Sequence, residues 1–274
     1  MKTETLLFHT EAYRMTLKMN YIIFAVATLS GVAVRTAMLL FTIDSYNGFI
    51  KTEYASAAIA ICVFLVTAAV VIFLTSFLVR TETEITPTIS GIPFTVGAVA
   101  LAVAAVYETF FSDLVPRQVG LQNTLQYITT IIAAGCLLYI AVCKITGRVF
   151  PPYLSIGPII YWMMRLVTVF TGFSTISTIS DTLIETASMC FTLLVLLFYA
   201  KIECGQPVKS YRIYYSIALV NGFICALGSI PRIIADIFAV EQAVHLNTIP
   251  TFTSLATGTF SVLFAYSLIK QLKK

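Results

Sequence analysis

The sequence predicts an all-α, polytopic membrane protein, a bundle of eight transmembrane helices joined by short connections. Three observations point there. Hydrophobic residues make up 58% of the 274 positions and charged residues only 11%, where a soluble domain carries about 25%. Mean hydropathy is +0.91, and so little polar surface cannot cover a body in water. Eight apolar segments each approach the ~20 residues that a helix rising 1.5 Å per residue needs to cross ~30 Å of hydrocarbon. Finally, the basic residues fall almost wholly on one side of the resulting topology.

The segments are 20–43, 54–79, 92–112, 124–143, 153–173, 182–200, 211–235 and 250–269. Before the first stands "MKTETLLFHTEAYRMTLKM", whose acids among its bases and whose length do not suit the n-region of a signal peptide. The apolar run after it passes any plausible cleavage point, so the first span is read as retained and residues 1–19 as a cytoplasmic segment. Spans three, five and eight open near Pro93, Pro152 and Pro250, where a missing N–H costs nothing. Pro158 and Pro231 fall inside spans five and seven and predict kinks there. No connection is long enough for a folded extramembrane unit, so residues 1–274 form one integral membrane domain.

Lys2, Arg14, Lys18, Arg80, Lys144, Arg148, Lys201, Lys209, Arg212, Lys270, Lys273 and Lys274 share the side of the termini, against Lys51 and Arg117 on the other. Cytoplasmic loops carry the Lys/Arg excess, which places both termini in the cytoplasm of a cell membrane. The absence of an Asn-x-Ser/Thr acceptor site fits a bacterial source. Arg35 and Arg165 sit at similar depths in spans one and five, as Cys62 and Cys190 do in spans two and six. Those offsets suit a weak four-plus-four internal repeat, a pattern common among transporters.

Six cysteines lie mostly in apolar runs, without CxxC or a Cys/His cluster, and histidine occurs twice. Neither a disulfide framework nor a metal site is expected, no cofactor is implied, and nothing suits nucleic acid. No HExxH, Walker or GxSxG sequence is present, nor a mid-span lysine for a retinal Schiff base. No catalytic residue is assigned. An intramembrane enzyme, resting on Glu108, Tyr107 or a cysteine, is the weakest reading.

What remains is charge in the wrong place. "IIYWMMRLVTVF" (159–170) would be an unbroken membrane helix but for Arg165, and "SGVAVRTAMLLF" places Arg35 likewise. Each lies roughly 12 Å of helix rise from the outer end of its span. Such an arginine costs ~2.5–3.5 kcal/mol near a span centre. Snorkelling outward works against the lean of side chains toward the helix N-terminus. Arg232 in "GSIPRIIADIF" is shallower, with Asp236 one turn on as a local partner. All three arginines belong to the outer halves of odd-numbered spans, and Glu108 in "VYETFF" is the acid best placed to pair with Arg35 or Arg165. Asp44, Asp113, Asp181, Glu185 and Glu241 gather toward the same side.

Other polar groups join them. Ser254, Thr257 and Ser261 fall at i, i+3, i+7 of span eight, and Gln122, Asn123 and Gln126 begin span four. The connection 171–182 is dense in hydroxyls. Tyr161 stands one turn before Arg165 and offers a cation–π face. Asn221 lies mid-span seven, either as a helix–helix hydrogen bond or as a ligand contact. The expectation is an outward-facing polar cavity lined by Arg35, Arg165 and Arg232 with Glu108, Tyr161, Asn221, Ser254 and Thr257. It would bind, and as a transporter carry, a small anionic or zwitterionic solute, since a planar guanidinium holds carboxylate or phosphate at two points. The alternative is a non-transporting sensor or accessory subunit whose buried charges pair between helices or with a partner membrane chain.

Overall fold

The computed structural model describes residues 2–42, 52–79, 92–111, 121–172, 179–205, 211–237 and 251–272. All regular structure in them is helical. The α-helices are α1 Lys2–Phe41, α2 Ala55–Phe77, α3 Ile92–Phe111, α4 Leu121–Thr146, α5 Ile156–Gly172, α6 Ile179–Glu203, α7 Tyr211–Ile237 and α8 Thr251–Leu272. Short 3-10 turns at Thr52–Tyr54 and Pro152–Ser155 precede α2 and α5.

Seven of these helices are long and apolar enough to cross a membrane. The exception is α5, at 17 residues, about 26 Å of rise against ~30 Å of hydrocarbon. The expected span 153–173 loses its first turn because Pro152 opens a tighter 3-10 turn, and the α-helix starts only at Ile156. The kink expected at Pro158 is corrected by the same shift. Pro158 is the third residue of α5, where its missing N–H breaks no helical bond. Pro231 does lie within a helix, α7. At the N-terminus, α1 runs unbroken for 40 residues, so residues 2–19 and the first span form one continuous helix. No proline and no glycine before Gly31 interrupts it.

Helices α3 to α8 close a six-membered ring in chain order, with α8 returning to pack on α3. Helices α1 and α2 lie outside that ring, packed on α7 and on each other. Burial follows the arrangement: 67% of the apolar stretch of α7 is buried and 61% of that of α8, but only 22% and 17% in α1 and α2. Consequently α7 is the axis of the bundle and α2 presents most of its surface outward.

Glycine sets the closest approach. At Gly258 of α8 a Cβ would meet Cys225 Cβ of α7 at 2.8 Å, and at Gly222 of α7 it would meet Val262 Cγ2 at 2.5 Å. The two backbones meet at a distance that only small residues permit. Gly147 and Gly205 follow α4 and α6 with φ of 71° and 66°, the left-handed conformation that closes a helix and that a Cβ disfavours.

Candidate functional site

The C-terminal halves of α1, α5 and α7 and the opening turns of α6 and α8 meet at one end of the bundle around a cavity. Its walls carry Arg35 from α1, Trp162 and Arg165 from α5, Arg232 and Gly228 from α7, and Thr253, Ser254 and Thr257 from α8. Helix α6 contributes Ile184, Glu185, Ser188, Met189 and Thr192. The three arginines expose only 2%, 5% and 6% of their surfaces (Arg35, Arg165, Arg232). A snorkelling arginine would leave its head uncovered; these heads are turned inward.

Arg165 Nη1 donates to Glu108 Oε2 at 2.8 Å, joining α5 to α3. Thr253 Oγ1 of α8 donates to the same carboxylate oxygen. One oxygen of this half-buried carboxylate thus ties three helices, and each donor offsets part of the cost of holding the charge away from bulk water. Glu185 of α6 is also near enough to act on the Arg165 charge. The pairing of Glu108 falls to Arg165, one of the two partners expected for it. Glu108 stands behind that arginine rather than on the cavity wall.

Most hydroxyls on the wall have already committed their protons. Thr257 donates to the Thr253 carbonyl at 2.6 Å, Ser188 to Glu185 at 2.7 Å, Thr192 to Ser188 at 2.6 Å and Ser254 to Cys225 at 3.3 Å. Their lone pairs remain available as acceptors. The guanidiniums therefore supply the donors of the cavity, and the hydroxyl oxygens and Glu185 the acceptors.

Besides Glu108, two more expected lining residues lie off the wall. Asn221 is fully buried one layer deeper, donating to Thr192 Oγ1 at 3.1 Å and Ser261 Oγ at 2.8 Å while accepting from Cys225 Sγ at 3.6 Å. Its amide is occupied in joining α6, α7 and α8, and it does not reach the cavity. Tyr161 is buried beside Glu108, Thr109 and Arg165, on the α3 side of α5. The aromatic residue on the wall is its neighbour Trp162, set edge-on to Tyr161 with ring centroids 4.8 Å apart. Gln126 is buried on α4, away from the cavity. Asp44, Asp113, Glu241 and most of the hydroxyl-rich connection lie outside the described residues, as do the side chains of Gln122, Asn123, Asp181 and Asp236. The expected Arg232–Asp236 pair is among these.

Sequence reasoning missed Thr253 and the polar stripe of α6. Glu185, Ser188 and Thr192 fall at i, i+3, i+7, the spacing that singled out Ser254, Thr257 and Ser261 on α8, so the signal was present. Beneath the Asn221 layer the ring interior is filled by Phe94, Tyr199, Phe260 and Phe264, with centroids of neighbouring rings 5.1 to 6.5 Å apart. The cavity therefore has a polar floor and an aromatic plug under it. Among the described residues no group of three His, Cys, Asp or Glu side chains could hold a metal ion. No protein-family model, curated protein or solved structure matches this chain.

Proposed function

We propose that this chain is an integral membrane protein whose eight helices all cross the bilayer, with both termini cytoplasmic, and whose outward cavity binds a small anionic or zwitterionic solute for transport. The observation that carries the reading is the convergence of Arg35, Arg165 and Arg232, from three helices, on one cavity wall. Burying three guanidiniums together is costly in a low-dielectric bundle, and a bound anion offsets that cost. Arginine donors opposite hydroxyl and carboxylate acceptors also suit a solute bearing both signs of charge. Pro231 and Gly228, on α7 beside the site, supply a place where the axis helix can bend.

The test is thermal unfolding of the detergent-purified protein against a panel of carboxylates, phosphates, amino acids and inorganic anions. A true ligand at a hundredfold excess over its Kd stabilises by about 2.7 kcal/mol. Arg35→Ala and Arg232→Ala, which leave the Arg165–Glu108 pair in place, are expected to remain folded and lose that gain. If no solute raises the midpoint, or if the gain survives both substitutions, the reading is wrong.

A second reading has its own support in the Arg165–Glu108–Thr253 knot, which already neutralises one arginine inside the protein. In that reading the charges lock helices together in a sensor or accessory subunit. It predicts that Arg165→Ala alone fails to fold and that removing Glu108 as well restores folding.

A further inference from the structure

We infer that the solute held by this cavity is a small inorganic or one-carbon anion, of the class of halide, nitrate or formate, and that larger anions are excluded by size. This inference rests on the anion-site reading above and narrows it.

Size comes first. The space among the arginines and α8 has room on the order of one or two water molecules. A sugar phosphate or a dicarboxylate has several times that volume and would have to force the helices apart. The surrounding packing resists such expansion. A Cβ at Gly228, on the wall, would stand in ordinary contact 3.4 Å from both Ile184 Cγ2 and Ser254 Oγ, so α6, α7 and α8 leave room for about one methyl group at that level. The floor is closed by the Asn221 bonds to Thr192 and Ser261.

Chemistry agrees with size. A small anion entering so narrow a place must shed part of its water, and the protein has to replace those hydrogen bonds with charge-assisted ones. Arg35, Arg165 and Arg232 reach the space from different helices, and so can donate to a compact ion from several directions at once. Met189 and Ile184 complete the wall with apolar surface, which suits weakly hydrated monovalent anions.

The chain's one tryptophan makes the inference directly testable, because Trp162 lines the cavity beside Arg165 and is 2% exposed. In gluconate buffer, bromide and iodide, which quench indole on contact, are titrated against the full-length protein in detergent. The expected result is saturable quenching at low concentration, reversed by chloride, nitrate or formate and unaffected by succinate, glycerol phosphate or glycine. Arg35→Gln should raise the half-saturating bromide concentration about tenfold, equivalent to about 1.4 kcal/mol. A linear, unsaturable response to bromide together with stabilisation by a larger solute overturns the size limit and leaves the anion site standing. No saturable quenching and no stabilisation by any solute overturns both. Saturable quenching that succinate or glycine reverses as well as chloride does also refutes the small-anion class, without needing any variant to fold.

Discussion

Glu108 concentrates the energetics of the site in a single oxygen. It accepts from Arg165 and from Thr253, so α3, α5 and α8 depend on one carboxylate. Removing one member of a buried pair leaves the other charge uncompensated, at a cost of about 3 kcal/mol or more, whereas replacing both with apolar residues of similar size is close to neutral. Glu108→Gln should therefore lower the unfolding midpoint markedly, and Glu108→Gln with Arg165→Met should recover most of the loss. Scanning calorimetry or a fluorescence melt of the three proteins would show it, and equal instability of single and double variants would refute the pairing. Asn221 makes the contrast. Its bonds hold helices together but do not face the cavity, so Asn221→Ala should cost about 1 kcal/mol and leave anion-dependent stabilisation intact. Loss of that stabilisation would mean that the cavity reaches deeper than its floor. The arginines and Glu108 were legible in the sequence because a charge in an apolar run has few possible partners. Which of Tyr161 and Trp162 faces the cavity was not legible. They stand four and three residues before Arg165, about 100° apart and flanking it on either side, and the choice depends on where α3 and α6 pack.

Among the elements, spacing of small residues decides how α7 and α8 pack, and the two key glycines are not equivalent. A Cβ at Gly222 would press on Val262 Cγ2, the end of a side chain that can turn, whereas one at Gly258 would press on Cys225 Cβ, which is fixed to the α7 backbone. Gly258→Ala should thus destabilise by about 1–3 kcal/mol and Gly222→Ala by less, measured as midpoints in the same detergent. The reverse order would show that the α7–α8 interface relaxes as a whole. At the chain turn after α4, Gly147 has open space where a methyl group would stand but a φ of 71°, so Gly147→Ala should cost about 1 kcal/mol through backbone strain alone. Helix number and order were readable from the apolar runs, since length and hydropathy act locally. The start of α5 was not. Pro152 permits either a first α-turn or a 3-10 turn, and the structure takes the latter, leaving α5 as the shortest α-helix among the described residues.

On the scale of the whole molecule, the bundle is layered along α7. The charged cavity lies at one end, the Asn221 hydrogen bonds below it, the aromatic plug of Phe94, Tyr199, Phe260 and Phe264 next, and the Lys144–Glu203 ion pair at 2.7 Å near the far end. A second hydrogen-bonded group, in which Asn20 donates to Tyr215 and accepts from Ser76, ties α1, α2 and α7 there. A solute passing through would have to displace the plug, so this conformation is closed below the cavity, and carriage requires a second state in which the rings part. The direction of that closure depends on orientation, which the Lys/Arg distribution predicts through the positive-inside rule. Cys204 offers a direct check. It is exposed, follows Glu203 at the end of α6, and belongs to the side proposed as cytoplasmic. In a variant keeping Cys204 alone, a membrane-impermeant maleimide should fail to label intact cells and label fully once the membrane is permeabilised. Labelling of intact cells would invert the topology, turning the arginine cavity toward the cytosol and making any solute it binds an internal one.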